Sequence, residues 1–340
     1  MDGPLALEIF EDGGVFRHGE NHEEVVEKLD EALEQREAGR ITPAKYLKTL
    51  KTLVEHYPHF IDGYAHLGNA LVEEGKPRLA LQACLRGLEI GESAIPSDFT
   101  GPIEWGILEN RPFLRAAQGS MLCQLRLGQR RKTLALMEKI LAWNPNDNQG
   151  IRHLIGSEYL RAGELDKADR IFADEAAHNP PYHYERALLQ LRAGETVSAA
   201  TSLRHGFVAN GYIAEILCGN PDPMPLAIWH GSNLAAPEIA REYLEHYGGL
   251  WQQTPGAIAF VRWMHTHPKV LIERAGILEC QGALLWEFDP VRRREILDRE
   301  DAARIRINNA LSKEIVQSRA DRHGRQVAPW LHQAAHRRHR

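Results

Sequence analysis

No run of the sequence approaches the roughly 20 consecutive apolar residues of a membrane-spanning helix. The opening Met1-Asp2-Gly3-Pro4 lacks the basic start and apolar stretch of a secretory signal. Both absences point to a cytoplasmic protein with no membrane partner. Aromatic residues make up only 7%, which is modest for an all-β protein and ordinary for a helical one. The four cysteines, Cys84, Cys123, Cys218 and Cys280, include no pair two or three residues apart. That excludes a zinc knuckle or a CxxC redox motif. Each lies in an apolar helical context, where a free cysteine behaves as a small buried hydrophobe, and a reduced compartment fits best.

Also missing are a P-loop, a glycine-rich dinucleotide fingerprint, a Gly-x-Ser-x-Gly elbow and a His-Glu-x-x-His zinc motif. We read no catalytic residue, cofactor or metal site from the chain, and expect a protein that is not an enzyme. His332 and His336 are four apart, as two ligands on a helix would be, but no Glu, Asp or Cys completes a site. His265 and His267 sit before Pro268 and read as residues of a helix end.

The net charge of −5 excludes a nucleic-acid binder by bulk charge, but the charge is uneven. Residues 1–40 carry twelve acids against four bases, while the last 22 residues carry six arginines against one acid. Such asymmetry marks interaction tails, self-association into a homo-oligomer, or simply two solvated faces. The basic tail 320–340, with Trp330 beside its arginines, is the one feature suited to a nucleic-acid partner.

What the sequence does contain is a repeat. Residues 61–94 place Tyr64, Leu67, Gly68, Leu71, Gly75, Ala80, Cys84 and Gly87 at the spacing of a helix–turn–helix unit of about 34 residues. Residues 149–182 do the same with Ile155, Gly156, Tyr159, Gly163, Ala168, Phe172 and Pro180. Looser copies occupy 114–147 (Gly128, Met137, Ile140, Pro145) and 180–213 (Ala187, Gly194, Ala199, Leu203, Gly206). Small residues let the two helices of a unit approach closely, and a glycine turns the chain between them. The pattern resembles the tetratricopeptide (TPR) repeat. It implies an all-α, right-handed α-solenoid of TPR-like helix pairs with extra C-terminal helices.

The expected organisation is an acidic segment and helix pair over 1–60 and a repeat array over 61–218. A linker follows over 219–235, then a C-terminal helical region over 236–319 and the basic tail over 320–340. Thr42-Pro43 reads as a helix start. The segment Ile90–Leu108 reads as a loop inserted into the array, Asn220–Leu234 as a proline-rich linker, Pro290–Arg319 as one exposed helix, and Ala320–Arg340 as poorly ordered.

One block is more specific. It comprises Glu109-Asn110-Arg111-Pro112-Phe113-Leu114-Arg115, Asn144-Pro145-Asn146-Asp147-Asn148-Gln149-Gly150-Ile151-Arg152, and Ala209–Leu217 with the segments Glu238–Trp251 and Pro255–Ile258. Over residues 105–265 this order resembles the suppressor-of-tumorigenicity-7 family and related bacterial TPR proteins. Gly211 stands where that pattern has proline, and the animal family is membrane-associated whereas this chain has no spanning segment. The resemblance implies a protein-binding class and carries no catalytic residue. Within the block, Asn110, Arg111, Asn148, Gln149 and Arg152 form either a set of caps and backbone contacts or a ligand site; Asn110 and one of Asn146 or Asp147 are the candidate caps.

In TPR arrays the first helix of each pair lines the concave face. Counting back from the turn glycines puts Glu73, Arg126, Arg161 and Arg192 at one groove position, joined by Asn69, Arg115, Gln118, His153, Ser157 and Tyr184. Guanidinium groups beside amides suit a protein or peptide partner carrying carboxylates. Equally, an arginine in the last turn of a helix is favoured by the helix dipole alone. The carboxylate-clamp pattern of chaperone-binding TPRs matches only at Asn69.

Overall fold

The computed structural model describes residues 5–19, 21–321 and 323–331. They form an all-α protein of successive helix pairs, with only two short β-hairpins among the described residues. The chain divides into two compact units, Met1–Ile155 and Gly156–Arg340. The division falls inside the 149–182 repeat.

The first unit opens with a hairpin of β1 (Ala6–Phe10) and β2 (Gly13–Arg17), paired antiparallel with Leu7 opposite Phe16. This segment was expected only to be acidic. Phe16 is fully buried, its ring 5.1 Å from that of Phe113. Helices α1 (His22–Glu37), α2 (Pro43–His56), α3 (Ile61–Glu73) and α4 (Pro77–Ala94) follow, then α5 (Arg111–Arg126) and α6 (Arg130–Trp143). The start of α2 is fixed as its sequence dictates, with Thr42 Oγ1 accepting from Lys45 N at 3.2 Å and proline in the first turn. Its apolar stripe of Leu47, Leu50, Leu53 and Val54 packs on Leu29 of α1 and Leu67 and Leu71 of α3 in one core.

The turn glycines Gly75, Gly128, Gly163 and Gly194 all take left-handed φ, from 68° to 85°. That region costs a side chain of L chirality roughly 1–2 kcal/mol, so the repeat glycines are conformational requirements. The inserted loop begins later than its composition suggests, because α4 continues through Ile90 to Ala94, where Ile90 is buried.

Close packing explains the small residues. A Cβ at Gly68 would lie 2.1 Å from Cys84 Sγ, and one at Gly119 would lie 2.7 Å from the same sulfur. Gly68→Ala is therefore expected to cost about 1–3 kcal/mol through overpacking. Adding Cys84→Ala should recover much of that loss in chemical denaturation. No recovery would show that the strain lies elsewhere.

The second unit contains most of α7 (Arg152–Ala162), then α8 (Leu165–Glu175), α9 (Pro180–Arg192), α10 (Thr196–Ala209) and α11 (Gly211–Cys218). After an irregular stretch come α12 (Pro237–Gln252), α13 (Ala257–Thr266), α14 (Pro268–Leu284), α15 (Pro290–Ile305) and α16 (Asn309–Val316). The expected single helix over Pro290–Arg319 is thus two, because Asn308 caps a new one by accepting from Ala310 N at 2.9 Å. The C-terminal helices pack on the repeats of their unit. Arg204 on α10 is 1% exposed. It pairs with Glu273 on α14 and donates to Asn308 O and Ser312 Oγ at 2.7 and 2.8 Å. The irregular stretch is also anchored, with Trp229 N donating to Gln281 O at 2.9 Å and Leu226 N to Tyr212 Oη at 2.8 Å.

Part of the segment expected to lack order is structured. Arg319–Ala320 pairs with Gln326–Val327, and Trp330 is buried with its ring 4.8 Å from Phe260. Trp330 is therefore not free to stack on bases. The arginines from Arg337 onward and the pair His332 and His336 lie outside the described residues.

Candidate functional site

In the first unit α3 and α5 flank a cavity of about 360 Å³. Four of the groove residues meet there: Asn69 on α3, and Arg115, Gln118 and Arg126 on α5. Sequence reasoning missed the others. His66 stands one turn before Asn69, Val72 and Leu122 supply apolar surface, and Cys84 and Cys123 contribute sulfur. His66 could have been found, since it occupies the same helical face as Asn69 at i, i+3.

The cations of this cavity are not equivalent. Arg115 donates through Nη1 to both carboxylate oxygens of Asp62, at 2.7 Å to Oδ1. Its charge is answered within the protein. His66 lies 3.8 Å from the same carboxylate. Burial nevertheless lowers the His66 pKa, with Asp62 opposing and Arg115 assisting, so the ring is neutral near pH 7. Arg126 is exposed and enters no ion pair among the described residues. The cavity thus presents one uncommitted cation, amides at Asn69 and Gln118, and an exposed apolar residue, Leu122.

The amide of Gln118 is partly committed. Its Nε2 donates to Gln149 O at 3.2 Å, and Gln149 Nε2 donates to Leu114 O and Gln118 Oε1 at 2.9 and 3.1 Å. Three further residues of the distinctive block, Arg111, Arg152 and Asn110, make contacts within the chain. Arg111 donates to Trp105 O at 3.0 Å and lies over the Trp105 ring. Asp147, in left-handed backbone at φ 47°, accepts from Ile151 N and Arg152 N at 2.8 Å and so caps α7, while Arg152 Nε returns to it at 2.9 Å. Asn148 is exposed. Asn110 makes no side-chain cap. It is fully buried; its Oδ1 accepts from Phe16 N at 3.0 Å, and its Nδ2 donates to Gly14 O and Glu104 O at 3.0 and 3.2 Å.

The second unit treats its groove residues differently, because its own helix α12 takes up the arginines. Arg161 donates to Glu158 Oε1 at 2.7 Å and to His246 O at 2.6 Å, with its guanidinium 4.6 Å from the Tyr247 ring centre. Arg192 donates to Thr254 Oγ1 at 2.9 Å and to Leu250 O at 3.3 Å. Except for Glu158 Oε1 on α7, these oxygens belong to the last turns of α12 and the residues after it, where the helix dipole favours a cation. Ser157 is buried and donates to Glu185 Oε2 at 2.6 Å. Tyr184 has no exposed surface and donates to Asn210 O at 2.7 Å. His153, in the first unit, is half-buried.

Glu185 gives this polar core a pH dependence. Burial pushes its carboxyl up to about 8, with Ser157 and Arg161 opposing and Glu158 adding to the rise. A folded-state pKa above the unfolded value means the folded state binds more protons across the interval. Stability should therefore fall as pH rises from about 4.5 towards 8. Glu185→Gln should flatten this slope in urea unfolding curves recorded at pH 5 and pH 8. An unchanged slope would assign the dependence to another group.

No family model matches the sequence, and no curated relative is found. Among the solved structures that align with the chain is one described as a MamA RS-1 ArsTM double mutant, at 17% identity and a TM-score of 0.41, over 54% of this chain and 91% of that one. Among the described residues, no helix is long and apolar enough to cross a membrane, and no group of three or more His, Cys, Asp or Glu is placed to hold a metal ion.

Proposed function

We propose that the protein is a non-catalytic TPR scaffold that holds an acidic peptide segment of a partner protein in the cavity between α3 and α5. The observation that carries this reading is the exposed Arg126, which enters no ion pair among the described residues and lines a cavity of about 360 Å³ with the exposed Leu122. A guanidinium fork pairs a carboxylate with two parallel hydrogen bonds. Asn69 can satisfy the peptide backbone, and Leu122 with Val72 can cover one apolar side chain of the partner. The protein-binding class implied by the resemblance to the suppressor-of-tumorigenicity-7 family points the same way. Arg161 and Arg192 are assigned to the internal contact with α12.

Fluorescence anisotropy with peptides of equal apolar content but acidic, neutral or basic charge tests the proposal. Acidic peptides should bind best, and Arg126→Glu should weaken them at least tenfold, while Arg192→Ala leaves binding unchanged. A charge-independent ranking, or equal binding by Arg126→Glu, would refute it.

A further inference from the structure

The cavity between α3 and α5 also brings together two cysteines that the sequence keeps far apart. Cys84 comes from α4 and Cys123 from α5, and both line the cavity. The packing places the Cys84 sulfur against the face of α5 that carries Cys123. A Cβ at Gly119 would fall 2.7 Å from Cys84 Sγ, and residue 123 lies one helical turn beyond residue 119 on the same face. In addition, the two thiols interact directly, each altering the other's protonation. Only glycine at 68 and 119 leaves room for that sulfur.

We infer that Cys84 and Cys123 are a redox-active thiol pair, which hydrogen peroxide entering the cavity converts to a disulfide between α4 and α5. The roles of the two sulfurs differ. Interaction with the Cys84 thiol holds the Cys123 pKa below its ordinary value, with burial opposing and Arg126 assisting. Interaction with Cys123 and then burial raise that of Cys84. Arg126 stands one turn beyond Cys123 on α5 and lines the same cavity, which marks Cys123 as the attacking thiolate and Cys84 as the resolving thiol. In the first step Cys123 sulfur attacks a peroxide oxygen and the O–O bond breaks. Cys123 becomes a sulfenic acid, and the departing hydroxide takes a proton and leaves as water. In the second step Cys84 sulfur attacks the sulfenic sulfur and the S–S bond forms. The S–O bond breaks, and a second water leaves with the Cys84 proton. Two electrons pass from the two thiols to the peroxide. The reaction does not depend on what the cavity binds.

The test is hydrogen peroxide added to the reduced full-length protein, followed by blocking of free thiols and non-reducing peptide mass mapping. The expected result is one linkage, Cys84 to Cys123, with Cys218 and Cys280 still blocked as free thiols. In Cys84→Ser, dimedone should trap a sulfenic acid at Cys123; in Cys123→Ser, Cys84 should remain unmodified. The wild-type map alone decides the matter if either variant fails to fold. No linkage between these two residues, prior oxidation of Cys218 or Cys280, or trapping at Cys84 in Cys123→Ser would overturn the inference.

Discussion

Replacing Arg204 by alanine should destabilise the second unit by about 3–5 kcal/mol, the usual cost of leaving one member of a buried ion pair alone. Arg204 is 1% exposed and is the point at which α10, α14 and the start of α16 meet. The variant strands Glu273 in a half-desolvated site and removes the donors to Asn308 O and Ser312 Oγ. Hydrogen exchange followed by mass spectrometry should show lost protection in α14 and α16, with urea unfolding reporting the size of the loss. Removing both charges with Arg204→Met and Glu273→Leu should be much milder, because replacing a whole buried pair by apolar side chains is often close to neutral. A double variant as damaged as the single one would mean that shape, rather than charge pairing, holds these helices.

The second large effect is expected at Asn110. Asn110→Ala strips partners from Phe16 N–H, Gly14 C=O and Glu104 C=O. Each group that stays buried and unpaired costs about 1–3 kcal/mol, so the loss should reach several kcal/mol and fall first on the hairpin of β1 and β2. Amide exchange within residues 6–17 should rise sharply in the variant. Asn148→Ala, a change at an exposed neighbour in the same block, should stay within about 0.5 kcal/mol of the parent. Similar losses in both variants would contradict the assignment of Asn110 as the residue that fastens the hairpin.

These two residues show how legibility divides. The helix pairs could be read in advance because their causes are local: a proline after Thr42, a glycine at each turn, and apolar residues on one face of α2. The contacts of Asn110 could not be read, because two of its three partners, Phe16 and Gly14, lie 94 and 96 residues earlier in the chain and the chemistry of asparagine suits a cap equally well. The same holds for Cys84 and Cys123, whose sequence separation hides a meeting produced by glycines at 68 and 119. The arginine row was legible as a position in the repeat, but its use was not. Arg126 is left to solvent, whereas Arg161 and Arg192 meet carbonyl oxygens of α12, a helix outside the repeats from which the row was counted. The break before α16 was masked by a charge pattern that favours one long helix; Asn308 in extended backbone overrides it.

The proposal that the α3–α5 cavity holds the partner is tested most directly by photocrosslinking from the cavity itself. A benzophenone side chain at Leu122, exposed beside Arg126, is compared with one at Leu165, an exposed position on α8. An acidic peptide chosen by anisotropy is irradiated with each. The account predicts that the peptide is captured at position 122, that Arg126→Glu abolishes the capture, and that position 165 gives none. Equal capture from both positions, or capture at 122 that survives Arg126→Glu, would contradict it.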